Sequence, residues 1–473
     1  MRVLLISTYE LGRQPLHVAS PAAALRRAGH DVSALDLSVD AWDAAADEAV
    51  AWADAVAVSV PMHTAMRLGV EVAQRVRAAR PGLPVAFYGL YAGVSHDELG
   101  IADAAFVGEY EPALLEWVGG VEPQGAGVVV HLGRSDLAVP DRRLLPPLDR
   151  YARLAVADRP GEHLLVGAVD ASHGCNQRCR HCPVPAVYDG RTRTVDVETV
   201  MADVEALAGA GAQHITFGDP DFFSGPAHGV RVVQEFARRF PTLTFDVTTK
   251  VEHVLRHAEV WPAMADAGCR FVVSAVECLD DAILALLDKG HTAAEADEAV
   301  RLLLAHGIEP HPSFLPFTPW TTPEGVLDIL AFVARHDLVG VVDPVQYSLR
   351  LLLPPGSLLL GVPEIEPHLA GYDPGALTWR WRAADPQVDT LQADLAALVE
   401  ARMSADPSEV FAEVWELVAR AAGVEVEVPE VGMRPTLARL SEPWFCCAEP
   451  TGAQVASVAA PSVSPSLAPS VEA

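Results

Sequence analysis

The stretch His173-Gly174-Cys175-Asn176-Gln177-Arg178-Cys179-Arg180-His181-Cys182-Pro183 decides how the rest of the chain is read. Its cysteines stand in the spacing Cys-x-x-x-Cys-x-x-Cys, and three soft thiolates from one short loop can wrap an iron–sulfur cluster while leaving one iron open. A single zinc ion is the alternative: zinc wants four ligands, no second Cys-x-x-Cys lies nearby, and His173 or His181 could complete the set.

Working outward, apolar strand-like runs at His163 to Ala171, His214 to Phe217, Leu243 to Thr248, Phe271 to Val276, Ile308 to Pro316 and Val339 to Tyr347 alternate with segments of helical period. Six β/α units result, a partial (β/α)6 barrel over residues 161–360. Parallel β/α repeats gather functional groups at the carboxyl ends of their strands. The first strand runs into the cysteine loop. The second ends at Gly218-Asp219-Pro220-Asp221-Phe222-Phe223, the third at Thr248-Thr249-Lys250, and the fourth at Val276-Glu277-Cys278, with His311 and Ser313 on the fifth.

The cysteine spacing at a strand end, followed by β/α repeats, resembles the radical S-adenosylmethionine (SAM) enzymes. The resemblance implies a 4Fe-4S cluster on Cys175, Cys179 and Cys182 whose open iron chelates SAM. It also implies that Gly218 with Asp219 or Asp221 takes the place of a Gly-Gly-Glu-like turn receiving the SAM amino group, and that Glu277 lies near the SAM ribose or carboxylate. An acidic turn capping the next helix and a solvated strand-end Glu are the plain readings of the same residues. Asp288-Lys289-Gly290-His291-Thr292 and Pro316 to Thr321 are similar to loop segments of such proteins that carry an N-terminal cobalamin-type domain.

Such a domain is expected upstream. Met1 to Ser7, Asp31 to Leu37, Ala55 to Val60, Pro84 to Tyr88 and Ala104 to Val107 read as short buried strands with helices between them, a flavodoxin-like doubly wound sheet over residues 1–120. It resembles the cobalamin-binding domain, with Ser59 and Gly89 where relatives meet the nucleotide tail. The loop Thr8 to Pro15 lacks the Asp-x-His-x-x-Gly motif that supplies a cobalt ligand, so any cobalamin here would lack that histidine. The sheet either binds cobalamin or keeps the fold without it.

A third signal stands near the end, at Glu442-Pro443-Trp444-Phe445-Cys446-Cys447-Ala448-Glu449-Pro450. With Tyr9-Glu10-Leu11-Gly12, the Gly218 turn and Pro344 to Ser348, it resembles the radical SAM proteins named for a CUAEP or CCAEP tail, in which selenocysteine can occupy the place of Cys447. The resemblance implies chemistry at Cys447 and its neighbour Cys446: hydrogen-atom donation, metal ligation or nucleophilic attack. Cys269 and Cys278 fit an inert buried role instead.

Length and charge narrow the function. A chain of 473 residues allows two to three domains. A net charge of −29 argues against a nucleic-acid partner, which would need Lys and Arg clusters. The opening run Met1 to Ser7 is too short for a signal-peptide core and no apolar run reaches membrane-spanning length. An odd count of 7 cysteines suits a reducing cytoplasm rather than a secreted disulfide framework. Residues 121–160, rich in Gly, Pro and charge, read as a linker, 361–450 as a mostly helical region, and 451–473, mainly Ala, Ser, Pro and Val, as disordered. The expected function is reductive cleavage of SAM to a 5'-deoxyadenosyl radical acting on a small molecule, with electrons from a flavodoxin or ferredoxin. Methyl transfer follows if cobalamin is bound, and a rearrangement or sulfur or selenium chemistry through Cys447 if it is not. A non-catalytic zinc docking module is the alternative of another class.

Overall fold

The computed structural model describes residues 1–93, 100–122, 127–157, 161–425, 427–430, 432, 438–442 and 447–459. The first unit runs β1 (Arg2–Ser7), α1 (Leu16–Arg27), β2 (Asp31–Asp36), α2 (Ala44–Trp52), β3 (Ala55–Ser59), α3 (His63–Ala79), β4 (Val85–Tyr88), β5 (Ala104–Gly108), α4 (Glu111–Val118) and β6 (Val128–His131). Its strands pair in the order β2-β1-β3-β4-β5-β6, all parallel. β3, β4 and β5 are buried at every position, as a parallel sheet covered on both faces requires. Val18, Leu25 and Leu114 of α1 and α4 pack on one face, and Val50, Met66 and Val72 of α2 and α3 on the other. The strand order reverses between β1 and β3, so the crevice for a ligand opens outside their carboxyl ends.

The second unit runs β7 (Arg153–Val156), β8 (His163–Val169), β9 (Ser172–Gly174), α5 (Pro183–Tyr188), β10 (Thr192–Thr194), α6 (Val197–Gly209), β11 (His214–Phe217), α7 (Pro226–Arg239), β12 (Thr244–Thr248), α8 (Val251–Arg256), α9 (Trp261–Asp266), β13 (Cys269–Glu277), α10 (Asp281–Leu286), α11 (Ala293–Ala305), β14 (Glu309–Phe314) and α12 (Pro323–Arg335). The sheet order is β14-β13-β12-β11-β8-β7-β17, where β17 is Ala438–Leu440. β8 and β11 to β14 are parallel, and β7 and β17 extend the edge antiparallel.

Four expectations are corrected. The sixth unit has no strand at Val339 to Tyr347: Pro344 opens a helical turn, Pro344–Ser348, and one isolated bridge, Phe317 to Arg350, extends the pairing. That run is apolar because Val339, Val341, Val342 and Tyr347 are core residues, and burial alone does not distinguish strand from turn. The stretch 121–160 is more than a linker. Its Val-rich part completes the first sheet as β6, and its end forms β7.

Region 361–450 contains the two helices, α13 (Pro386–Ala401) and α14 (Pro407–Ala421), packed on the barrel core, but also a hairpin of β15 (Leu369–Asp373) and β16 (Thr378–Trp381), and β17. The segment expected as disordered begins with a helix, α15 (Gly452–Val458), closed by a Thr451–Gln454 capping box and seated by Val455 and Val458 on the first unit's core. Residues 460–473 lie outside the described residues. Among those described, no helix is long and apolar enough to cross a membrane.

Candidate active site

The cysteine loop is clamped from several sides. Gly174 enters it at φ +70, and a side chain there would collide with Arg191 and Tyr188. The Cys175 sulfur accepts from the Gln177 amide at 3.4 Å and the Ser224 hydroxyl at 3.5 Å. Lys250 Nζ donates to Gln177 at 3.1 Å, and the Arg180 amide donates to the Leu287 carbonyl at 2.9 Å. Burial pushes the Cys182 thiol up to about 12 and raises that of Cys175. Without iron these sulfurs therefore hold their protons, and cationic iron is what would stabilise them as thiolates. The donor set fits a 4Fe-4S cluster. Among the described residues no group of three or more His, Cys, Asp or Glu is gathered around a single-ion position such as zinc would need, and the candidate histidines each carry a carboxylate on one ring nitrogen, His173 Nδ1 with Glu109 at 3.0 Å and His181 Nε2 with Glu277 at 3.1 Å.

Glu277 ends β13 in a left-handed conformation, φ +67, beside a bulge at Ala275/Glu277. One oxygen, Oε1, takes both His181 and Lys289 Nζ, the latter at 3.0 Å. Burial opposes its charge, but Lys289 and His181 outweigh burial and hold the carboxyl well below the usual range. The triad ties the cysteine loop to the strand end and to the Asp288–Thr292 loop.

The structure separates the other carboxylates. Both oxygens of Asp219 are engaged, with the Ala171 amide at 2.9 Å and the Ser172 hydroxyl at 2.5 Å. Asp221 accepts from Thr249 at 2.7 Å and lies 2.8 Å from His253. Neither lines the cavity, whereas Gly218 does. Pro220 kinks the turn between them, so the two side chains serve the loop junction and the helix behind it. A side chain at Gly218 would strike Asp170, whose carboxylate does line the cavity, 3.8 Å from His173 Nε2. Asp170 was not singled out from sequence; its signal is a charge closing the otherwise apolar run from Leu164 to Val169.

That cavity, about 480 Å³, lies between the two sheets. One wall is the carboxyl edge of the first sheet, with Glu10, Arg13, Gly89 and Glu111; the other is the barrel mouth, with His173, Cys182, Glu277 and Ser313. Gly89 has φ +115, and a Cβ there would stand 3.0 Å from the Val60 backbone, so glycine is required where the wall turns. Ser59 is buried behind that wall and does not line it. A glycine cradle and buried polar atoms lacking partners among the described residues, Glu10 Oε1 and Glu111 Oε2 included, fit a polar cofactor such as cobalamin at this edge.

Cys447 also lines the cavity. It arrives on a strap along the first unit: Thr64 Oγ1 donates to the Ala448 carbonyl at 2.8 Å, His63 and Arg67 pair with Glu449 at 3.1 and 3.5 Å, and the Trp42 amide donates to the Ser457 carbonyl. Cys446 lies outside the described residues. Cys269 and Cys278 are buried away from the cavity.

Comparisons agree with this geometry. Residues 169–333 match the family model of the radical SAM superfamily, and residues 2–118 that of the B12 binding domain; the chain carries both domains. Among curated relatives, the hopanoid C-3 methylase of Methylococcus capsulatus is 25% identical over 317 residues, 62% of this chain and 59% of that protein. The hopanoid C-2 methylase of Rhodopseudomonas palustris is 22% identical over 306 residues, 62% and 55% respectively. The chain thus spans less than two thirds of either relative. Among solved structures, the cobalamin-dependent SAM radical enzyme OxsB with aqua-cobalamin bound superposes with TM-score 0.67 at 13% identity, covering 85% of this chain and 67% of that one. The radical SAM methyltransferase TsrM from Kitasatospora setae, with tryptophan substrate and a SAM analogue, superposes with TM-score 0.65 at 18% identity, covering 89% and 95%. At these identities the likeness is one of fold.

Proposed function

We propose that the chain is a cobalamin-dependent radical SAM enzyme that transfers a methyl group to a small molecule. The observation that carries this reading is that one cavity has the B12-binding sheet edge and the cysteine loop as its opposite walls. When bound, the cluster supplies the electron that cleaves SAM and the corrinoid supplies a methyl carrier. Cys175, Cys179 and Cys182 hold the cluster. Asp170, opposite Gly218, is the carboxylate placed to receive the SAM ammonium, while Asp219 holds Ala171 and Ser172 in line and Asp221 fixes Thr249. Glu277 positions the loop through His181. Gly89 shapes the wall for the corrinoid and Ser59 backs it.

Leu11, Leu349 and Leu351 give the cavity apolar walls that exclude water and suit a substrate with an apolar body. The charge of −29 supports a substrate other than nucleic acid, and the cysteine usage supports a cytoplasmic setting; a flavodoxin or ferredoxin is the electron donor that the radical SAM resemblance implies.

The test is anaerobic reconstitution with iron, sulfide and hydroxocobalamin, followed by reduction in the presence of SAM carrying a deuterated methyl group. Deuterated methyl in a product recovered from cell extract, with 5'-deoxyadenosine and S-adenosylhomocysteine formed, supports the proposal; a full cluster that leaves SAM intact sinks it. A second reading rests on Cys447 at the cavity wall: a rearrangement or sulfur or selenium transfer through this thiol, in keeping with the CCAEP-tail resemblance. It predicts 5'-deoxyadenosine without S-adenosylhomocysteine, abolished by Cys447→Ser.

A further inference from the structure

Glu10 and Glu111 stand at the carboxyl ends of β1 and β5, each 6% exposed, and both line the cavity. Each is half used. Glu10 Oε2 lies 3.2 Å from His17 Nδ1, and Glu111 Oε1 accepts from the Ser20 hydroxyl at 2.9 Å. Their other oxygens, Glu10 Oε1 and Glu111 Oε2, are buried with no hydrogen-bond partner among the described residues, and so is Arg13 Nε on the same wall. A buried carboxylate oxygen left unpaired costs free energy that folding alone does not return, so such atoms point to a ligand.

The mixture of groups says what kind. A purely cationic ligand would suit the two glutamates but meet Arg13 and His17, whose pKa burial lowers but Glu10 and Asp170 together raise. A purely anionic ligand would meet the glutamates. A primary carboxamide satisfies both at once, since its N–H groups donate to carboxylates and its carbonyl accepts from guanidinium or imidazolium. A corrinoid ring carries such carboxamides around its rim.

We propose that Glu10 and Glu111, with Arg13, form the subsite that grips the ring carboxamides of the corrinoid, taking the anchoring role left open by the missing Asp-x-His-x-x-Gly motif. This rests on the cobalamin reading above, and the experiment separates the two. Apoprotein of the wild type, Glu10→Gln and Glu111→Gln is titrated with hydroxocobalamin and with cobinamide, which keeps the ring carboxamides and lacks the nucleotide tail. Binding is followed by visible absorption and calorimetry, and apoprotein melting is recorded alongside.

The expected result is about five- to tenfold weaker binding of both probes to each variant, the scale of the charge assistance lost when a carboxylate acceptor becomes an amide carbonyl. Apoprotein melting should be unchanged or higher for Glu111→Gln, which has no ion-pair partner among the described residues, whereas Glu10→Gln also removes the carboxylate beside His17 and its melting is read only as a control. Wild-type protein that binds while the variants bind equally well overturns the subsite and leaves the cobalamin reading standing. Loss confined to hydroxocobalamin also overturns it, by moving the contact to the tail, and a lowered melting point of Glu111→Gln apoprotein overturns it by making that residue structural. Wild-type protein that binds neither probe removes the cobalamin reading itself.

Discussion

Cutting the Glu277–Lys289 pair should destabilise the barrel by more than any exposed ion pair could. Both side chains are nearly buried, 9% and 3% exposed, with Nζ and Oε1 3.0 Å apart. Replacing Glu277 by Gln leaves the Lys289 ammonium without its counter-charge, and breaking a buried pair in this way costs about 3–5 kcal/mol. Lys289→Met leaves the carboxylate with His181 alone and should cost a similar amount. The double variant removes both charges, so its loss should fall at least about 2 kcal/mol short of the sum, a coupling that a double-mutant cycle reads directly. The backbone offers an independent check. Glu277 has φ +67, for which a non-glycine residue pays roughly 1–3 kcal/mol, so Glu277→Gly should be less damaging than Glu277→Ala. The assay is urea unfolding of the apoprotein for all variants, with iron bound per chain measured after reconstitution, because His181 lies inside the cysteine loop. Additive single and double losses, or a Gly variant no better than Ala, would refute the reasoning.

Three further outcomes follow from the same structure. Alanine at Cys175, Cys179 or Cys182 should abolish cluster assembly and 5'-deoxyadenosine formation, seen as iron and sulfide content after anaerobic reconstitution, while Cys269→Ala leaves iron content intact. Thr64→Val strands the buried Ala448 carbonyl at a cost of about 1–3 kcal/mol to strap docking, so alkylation of Cys447, followed by peptide mass spectrometry, should quicken. Asp36, raised to about 6 by burial despite hydrogen bonds from Ser38 and Tyr151, carries a folded-state pKa above its ordinary 3.8. Its stabilising contribution is full below 3.8 and is lost as pH rises through 6. The stability of wild type relative to Asp36→Asn should therefore fall by up to about 3 kcal/mol between pH 4 and pH 7, and a pH-independent difference would contradict it.

The parts of the site that could be read from sequence were those fixed by local spacing. The cysteine triad needs only one loop, and the β/α alternation needs only apolar runs of the right length, so both were visible. The acidic turn after β11 was legible only in part: Gly218-Asp219-Pro220-Asp221 supplies the expected residue types, while which carboxylate faces the cavity depends on Pro220 and on the partners Ala171, Ser172 and Thr249, two of which lie about 48 positions away. Asp170 was overlooked for the converse reason: its position on the wall follows from the absence of a side chain at Gly218. The docking of 447–459 was hidden because its composition is that of a tail, and its burial rests on contacts with α3 and Trp42, nearly 400 residues earlier in the chain.

The strap gives physical content to the Cys447-Ala448-Glu449 run. Ala448 is buried at 6% and lends its carbonyl to Thr64, so a larger side chain would lift the segment away. Glu449 reaches back to His63 and Arg67 at the start of α3, and Thr451 caps the helix that packs onto α3. Each residue after Cys447 thus holds down the backbone that delivers the thiol. A purely structural end would need the anchors but not a sulfur on the cavity side of them. The placement puts Cys447 on the wall of the cavity between the two sheets, and it makes the anchors a means of moving Cys447 without altering it.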